Sequence, residues 1–347
     1  MNTFVRNDRR VYRARLALHA AQRLGVAILI TAAVAALAAP FVAPHATDQR
    51  FPGLLNAPPT AVHLRDDAGS WRAPFIYPWT RVSQLEQRYE EDRTSPVPLA
   101  WLAGGRLVLS SAEARAPLLV LGADSFGRDV FSRLLFGARL SLALALLSAI
   151  GATVVGALLG GVAGYLGGVV DDVMMRVSDF VLVLPAMYVA LVLRSMMPLT
   201  LEAPAVFALL MVIFAVVGSP FITRGVRAIV RTERALDYAA AAASLGASHA
   251  RVLGRHLLPA ARGFLLVEIT MLVPAFIVAE ATLSYVGLGF PDTSASWGTM
   301  LQDGSSIVAF ADFPWLLSPA AAMFLVVWGL NLTLQGRTES GRYERPM

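Results

Sequence analysis

The chain has 347 residues, 56% of them apolar and only 15% charged, with a mean hydropathy of +0.60. Soluble domains carry about 25% charge, so this composition excludes an ordinary water-soluble protein and reads as an integral membrane one. Cysteine is absent and all 29 basic residues are arginine, which excludes disulfides, thiolate nucleophiles, Schiff bases and the lysine of a phosphate-binding loop.

A spanning helix needs about 20 mainly apolar residues. Uncharged runs occupy 24–44, 140–166, 203–223 and 315–335. Two further runs carry a few charges: 177–197 contains Asp179 and Arg194, and 263–285 contains Glu268 and Glu280. The expectation is six spans, with Pro185, Pro220 and Pro274 tolerated inside them as kinks. The run at 24–44 is too long for a signal-peptide core and reads as a retained first span.

Arginine placement sets the expected orientation. The first 23 residues hold six arginines, 224–262 holds seven, and the tail after Gln335 holds three. Arginine-rich loops stay cytoplasmic, so both termini are expected inside. The net charge of +5 is then topological, and no nucleic-acid partner is expected. The domain reading is a cytoplasmic segment at 1–23, a first span at 24–44 and an external insertion at 45–138. A five-helix core follows at 139–335, with a cytoplasmic loop at 224–262, and a tail at 336–347. The insertion is rich in proline, charge and aromatics (Phe51, Trp71, Phe75, Tyr77, Trp79, Tyr89, Trp101) and reads as partly structured, with aromatics that pack locally or sit at the lipid interface. Long segments cross the membrane regardless of charge, so its ten arginines do not oppose this placement.

The second span places Gly156, Gly160 and Gly164 on one helical face, where missing side chains let another backbone approach closely. None of the five histidines falls inside a span, and no catalytic triad or metal-ligand spacing occurs. A mid-membrane acid is costly, so Glu280, and nearer the helix end Glu268, are candidates for lining a translocation path or bracing an assembly.

The loop at 231–259 has a regular construction. Asp237 and Tyr238 precede five alanines at 239–243, which favour helix. Gly246 suits the left-handed position that ends a helix, Ser248 suits the cap of the next, and Pro259 marks the approach to span five. Leu236, Tyr238 and Leu245 would be costly in water and suggest a docking surface.

This loop resembles the EAA signature of ABC importer permeases. Ala241, Ala242, Gly246 and Leu258-Pro259 stand in register, while Ala240 replaces the family glutamate and leaves Asp237, one turn earlier, as the nearby acid. LGADSFGRDVFSR at 121–133, continuing to GARLSL at 137–142, is similar to the run before span two in dipeptide, oligopeptide and nickel permeases. It contributes Asp124, Gly127, Arg128, Asp129 and Arg133. EATLSYVGLG at 280–289, WGTML at 297–301, GYLGGVVD at 164–171 and MRVSD at 175–179 also resemble that family. The resemblance covers about 118–335.

The resemblance implies an all-α inner-membrane permease of six transmembrane helices, with a coupling-helix loop and an external insertion between helices 1 and 2. It implies no catalytic, cofactor or metal site in this chain; ATP and Mg would be used by partner ATPases. The implied partners are a second, homologous permease, two ATP-binding subunits, an external substrate-binding protein and the lipid bilayer. Asp237, Tyr238, Ala241, Ala242, Leu245, Gly246, Ala247 and Pro259 would couple to the ATPases. Peptides are the implied cargo; import of nickel or another small solute, or a stand-alone secondary transporter, stay open as alternatives.

Overall fold

The computed structural model describes residues 2–66, 69–83, 87–198, 201–305 and 311–343, and the side chains among them of 19–185 and 187–334. The chain folds as two compact units, 1–141 with 284–347, and 142–283.

The first unit opens with helix α1, Asn2–Val42. The apolar run is therefore the second half of a longer helix; 1–23 is not a separate tail. Small residues define its inner face: Ala36 and Ala39 are buried, as is Ala43 just past its end, and a Cβ on Gly25 would lie 2.6 Å from the Gly329 carbonyl oxygen. That close approach seats α1 on the last helix, α9 (Ser318–Tyr343). Ile30, Val34, Leu37 and Phe41 are exposed on another face.

Among the described residues six short strands follow: β1 (His63–Arg65), β2 (Trp71–Ile76), β3 (Trp79–Ser83), β4 (Arg88–Glu91), β5 (Val97–Trp101) and β6 (Val108–Ser110). They form an antiparallel sheet in the order β1-β2-β5-β6 and a separate β3-β4 hairpin. Ile76, Val97, Ala116 and Leu118 make the core beneath the larger sheet. The aromatic and β-branched residues of this stretch favour pleated, half-buried strands, so the expected partly structured segment is a small β-module. Phe51, Phe75 and Tyr77 are buried in it, whereas Trp71 and Trp101 are exposed.

Helix α2 spans Val130–Leu166, and thus begins eight residues before the expected limit of the insertion at Ala138. Asp129 holds its start. The carboxylate accepts from the backbone N–H groups of Phe131 (3.2 Å) and Ser132 (3.0 Å), satisfying donors that the first turn leaves unpaired. Arg133 lies inside this helix because its charge is compensated by the carboxylate of Asp124, 3.6 Å away.

In the second unit α3 (Gly168–Val183) and α4 (Ala186–Ser195) meet at 88°. Run 177–197 is therefore a sharply bent pair of helices rather than one continuous helix. Pro185 bars its predecessor from helical backbone, Leu184 is extended at ψ 130°, and the helix stops there. Pro220 and Pro274, by contrast, remain inside the continuous helices α5 (Ala203–Arg234) and α7 (His249–Tyr285). Among the described residues five helices are long and apolar enough to cross a membrane, and the bent pair makes up to six. Helix α5 continues eleven residues past Thr223, and α6 (Asp237–Ser244) follows it. The stretch 224–262 is therefore mostly helix rather than loop.

Candidate functional site

The corner between α6 and α7 is built by local chemistry. Gly246 has φ +83°. Its N–H donates to Ala243 O at 3.0 Å, and the Ala247 N–H donates to Ala242 O at 3.2 Å. These two bonds form a Schellman cap, whose left-handed position glycine fills without strain. The Ser248 hydroxyl then accepts from the Arg251 N–H at 3.4 Å and starts α7. Within α7 a wide π turn at Val252–Leu257 precedes a tight turn at Leu258–Ala261; Pro259, with no N–H to give, falls in this irregular stretch.

The corner presents apolar surface. Leu245 is 89% exposed, and Leu236, Tyr238 and Asp237 are exposed as well, while Ala239 packs inward. Ala241 is exposed, and Ala242, Ala247 and Pro259 are half-buried. The Tyr238 hydroxyl donates to Glu233 at 2.6 Å, tying α6 to the end of α5. Tyr165, at the end of α2, meets His249 Nδ1 at 2.6 Å, and Arg234 donates to the Tyr165 carbonyl. Tyr165, Glu233 and Arg234 were not among the residues singled out from sequence, since their partners lie on other helices.

Behind the corner, the three glycines of α2 lie against α5. A Cβ would come within 2.6 Å of Ile222 at Gly156, 2.3 Å of the Thr223 carbonyl oxygen at Gly160, and 2.7 Å of the Arg227 carbonyl oxygen at Gly164. Helix α3 is bound to the same α5 by two ion pairs. Asp171 engages Arg227, and Asp179 lies 2.7 Å from Arg224. The acids belong to the strings 164–171 and 175–179, and the arginines to the stretch expected as loop.

In the first unit, the string at 121–133 folds into a tight knot. Asp124 Oδ1 accepts from the N–H groups of Phe126 and Arg128, both at 2.9 Å. Gly127, at φ +73°, passes so close to Phe51 that a Cβ would lie 2.3 Å from the Phe51 carbonyl oxygen. Arg128 is buried and reaches three oxygens: Asp124 Oδ2 at 2.6 Å, Asp292 O at 2.9 Å and Asp303 Oδ2 at 2.8 Å. Burial, outweighing the Arg128 charge, pushes the Asp303 carboxyl up to about 6. Burial likewise raises Asp129, against the His45 charge and the hydrogen bonds from Ser132 and Phe131.

Beside this knot His45 is fully buried. Its Nδ1 lies 2.8 Å from Glu113 and its Nε2 3.1 Å from the Leu118 carbonyl. Burial would raise Glu113, but hydrogen bonds from His45 and Gln49, with the His45 and Arg106 charges, hold it below the usual range. The string at 297–301 closes the other side. Ser296 and Thr299 form a capping box at the start of α8 (Trp297–Asp303). The Trp297 N–H donates to Ser141 Oγ and its indole to Leu134 O, both at 3.1 Å. Strings distant in sequence are thus brought together: Asp124, Arg128 and Arg133 with Asp303, and Ser141 with Trp297. Asp303, Asp292, His45 and Glu113 carry no local signal that sequence reading can use.

Glu268 and Glu280 are both buried on α7, twelve residues or about 18 Å apart along the helix, so they do not form one acidic pair. Among the described residues no cluster of His, Asp or Glu is arranged to hold a metal. The geometry is that of a packed helical membrane body with an exposed apolar corner.

Residues 152–336 match the family described as binding-protein-dependent transport system inner membrane component. The chain is 34% identical over 216 residues to an oligopeptide transport system permease protein of Bacillus subtilis, covering 62% of this chain and 68% of that one. It is 35% identical over 215 residues to a dipeptide transport system permease protein of the same organism, covering 62% and 65%. A glutathione transport system permease protein of Pectobacterium atrosepticum is 33% identical over 216 residues, covering 62% and 69%. The matched stretch holds α5, α6, α7 and the Gly246 corner, and the chain belongs to the multi-pass inner-membrane components of binding-protein-dependent transport systems, the permease subunits of ABC importers.

Proposed function

We propose that this chain forms, with a second homologous permease, the path by which an ABC importer brings peptides across the inner membrane. The relatives named for oligopeptide, dipeptide and glutathione transport support that cargo class. Two ATP-binding subunits dock on the cytoplasmic face of the permease pair and use ATP and Mg there, pushing on this chain's loop at 232–250, and this chain hydrolyses nothing itself. A substrate-binding protein delivers cargo to the opposite face, where the β-module lies, and both termini are cytoplasmic. Asp237, Tyr238, Ala241, Ala242, Leu245, Gly246, Ala247 and Pro259 transmit the closing of the ATPases to the helices. Gly156, Gly160 and Gly164 make α2 and α5 move as one piece. Glu280 and Glu268 serve the translocation path or the assembly.

The observation that carries this reading is the exposed α6–Gly246–α7 corner. Leu236, Tyr238 and Leu245 are exposed there, on an arginine-rich segment outside the apolar runs, where a docked subunit would bury them. Two variants of the purified complex test it. Gly246→Val resists the positive φ and is expected to uncouple substrate-stimulated ATP hydrolysis and uptake. Leu245→Asp, at a fully exposed position that folding does not use, is expected to weaken ATPase association. Normal association, hydrolysis and uptake in both variants would overturn the coupling role.

A further inference from the structure

The β5–β6 hairpin is bound to the end of the first membrane helix. The last carbonyls of a helix have no partner within it. The Phe41 carbonyl of α1 takes one from outside: the Leu107 N–H donates to it at 2.7 Å. Arg106 adds a second contact, its guanidinium donating to the Pro44 carbonyl, at the helix end that favours positive charge. The hairpin is therefore the C-terminal cap of α1, and its height is fixed relative to that helix.

The bilayer fixes the height of α1. Arg23 is the last charged residue before the apolar run. The hydrocarbon core takes about 20 helical residues, so counting from Arg23 it ends near Ala43. The cap thus sits at the edge of the hydrocarbon. Leu102 pairs directly with Leu107, its N–H donating to Leu107 O at 3.0 Å. Paired strands lie about 4.8 Å apart, so the Leu102 backbone is within about 10 Å of Phe41. The headgroup layer is about 5–8 Å thick on each side.

The hairpin tip has the composition of that layer. Trp101 is 57% exposed and Leu102 69% exposed, next to an exposed Phe41 and a Leu37 that is 76% exposed on α1. The hairpin that binds the end of α1 thus carries exposed apolar side chains of its own beside those of the helix. Leu102 adopts φ +53°, a conformation that costs a non-glycine residue energy. A leucine kept strained and exposed in water has no return; one placed among lipid headgroups and upper acyl chains does. Trp belongs at the same level, with its apolar ring and one polar N–H.

The geometry points to the β5–β6 tip, Trp101 and Leu102 with Arg106 behind them, as an interfacial anchor that inserts into the lipid leaflet at the C-terminal end of α1. The β-module is held on the membrane surface by this contact. The inference uses only the membrane-spanning nature of α1 and is independent of which face is external and of the cargo.

The absence of native cysteine makes a direct test simple. Leu102→Cys and, separately, Trp101→Cys are labelled with an environment-sensitive fluorophore in the full chain and reconstituted in phosphatidylcholine vesicles. Ser70→Cys, in the exposed β1–β2 turn of the same sheet, is the control. Phosphatidylcholine carrying a doxyl quencher near the headgroup end of one acyl chain is expected to quench labels at 101 and 102 but not at 70. Aqueous iodide is expected to quench 101 and 102 severalfold less than 70. Equal iodide access at all three positions would overturn the anchor. Shielding from iodide without quenching by the doxyl lipid would also overturn it, by assigning the tip to another protein surface.

Discussion

Arg227 grips Asp171 with both ends of its guanidinium, Nε to Oδ1 and Nη2 to Oδ2, each at 2.5 Å. This fork binds α3 to α5, with the second pair, Asp179 and Arg224, further along. Charge-assisted bonds contribute about 1.5–3 kcal/mol each, and a lysine cannot reproduce a two-pronged contact. Arg227→Lys and Asp171→Asn are expected to lower thermal stability in detergent by comparable amounts. The double variant is expected to cost less than the sum, because each change already breaks the same fork. Strict additivity would show that the pair is not coupled.

At Gly160 the neighbour of an added Cβ is backbone, the Thr223 carbonyl oxygen at 2.3 Å, which cannot step aside as a flexible side chain would. Even alanine overpacks the seam of α2 and α5, at about 1–3 kcal/mol or more. Gly160→Ala should therefore reduce the yield of monodisperse protein. Gly254→Ala, where an added Cβ meets nothing within 4 Å, is the matched control and should behave as the parent. Equal yields would remove the close-packing role.

Asp303 gives a pH dependence with a definite sign. Its folded carboxyl titrates at about 6, above the roughly 3.9 of an unfolded aspartate. Between these values the folded state holds the extra proton, so stability falls as pH rises through the window. Asp303→Asn removes this titration and leaves the neutral shape. The difference in melting temperature, parent minus variant, should become more negative from pH 4 to pH 6 and level off above. A flat or rising difference contradicts the buried, raised carboxyl.

Sidedness is checked with single cysteines at Ser70 and Ser248, both exposed. In intact cells, with any outer membrane permeabilised, an impermeant thiol reagent should label Ser70→Cys and spare Ser248→Cys. The reverse pattern would invert the orientation proposed above.

What sequence made legible was local. The turn at Gly246 could be read because the bonds that cap α6 and start α7 all lie between Ala242 and Arg251. The glycine face of α2 was visible from spacing, although its partner helix was not. Apolar runs located the membrane helices but misjudged their ends, because Arg133, Arg224 and Arg227 look like loop residues until Asp124, Asp179 and Asp171 are seen beside them. Pro185 reads no differently from Pro220 and Pro274, yet the residue before it is extended and ends a helix, whereas the residues before the other two stay helical. Asp303 meets Arg128 across 175 positions, a distance no motif reports.

The break at Leu184 also dictates which surroundings the chain tolerates. The Asp179–Arg224 pair marks the polar margin of α5, and Leu184 lies five residues, about 8 Å, beyond it. Where the bent pair crosses the bilayer, a helix that stops there leaves main-chain carbonyls of α3 and N–H groups of α4 without helical partners at hydrocarbon depth. Acyl chains offer such groups nothing, and irregular backbone persists at that depth only against protein or beside water. The corner at 184–185 is therefore expected to face protein or water rather than bulk lipid, on a flank that a partner subunit would cover.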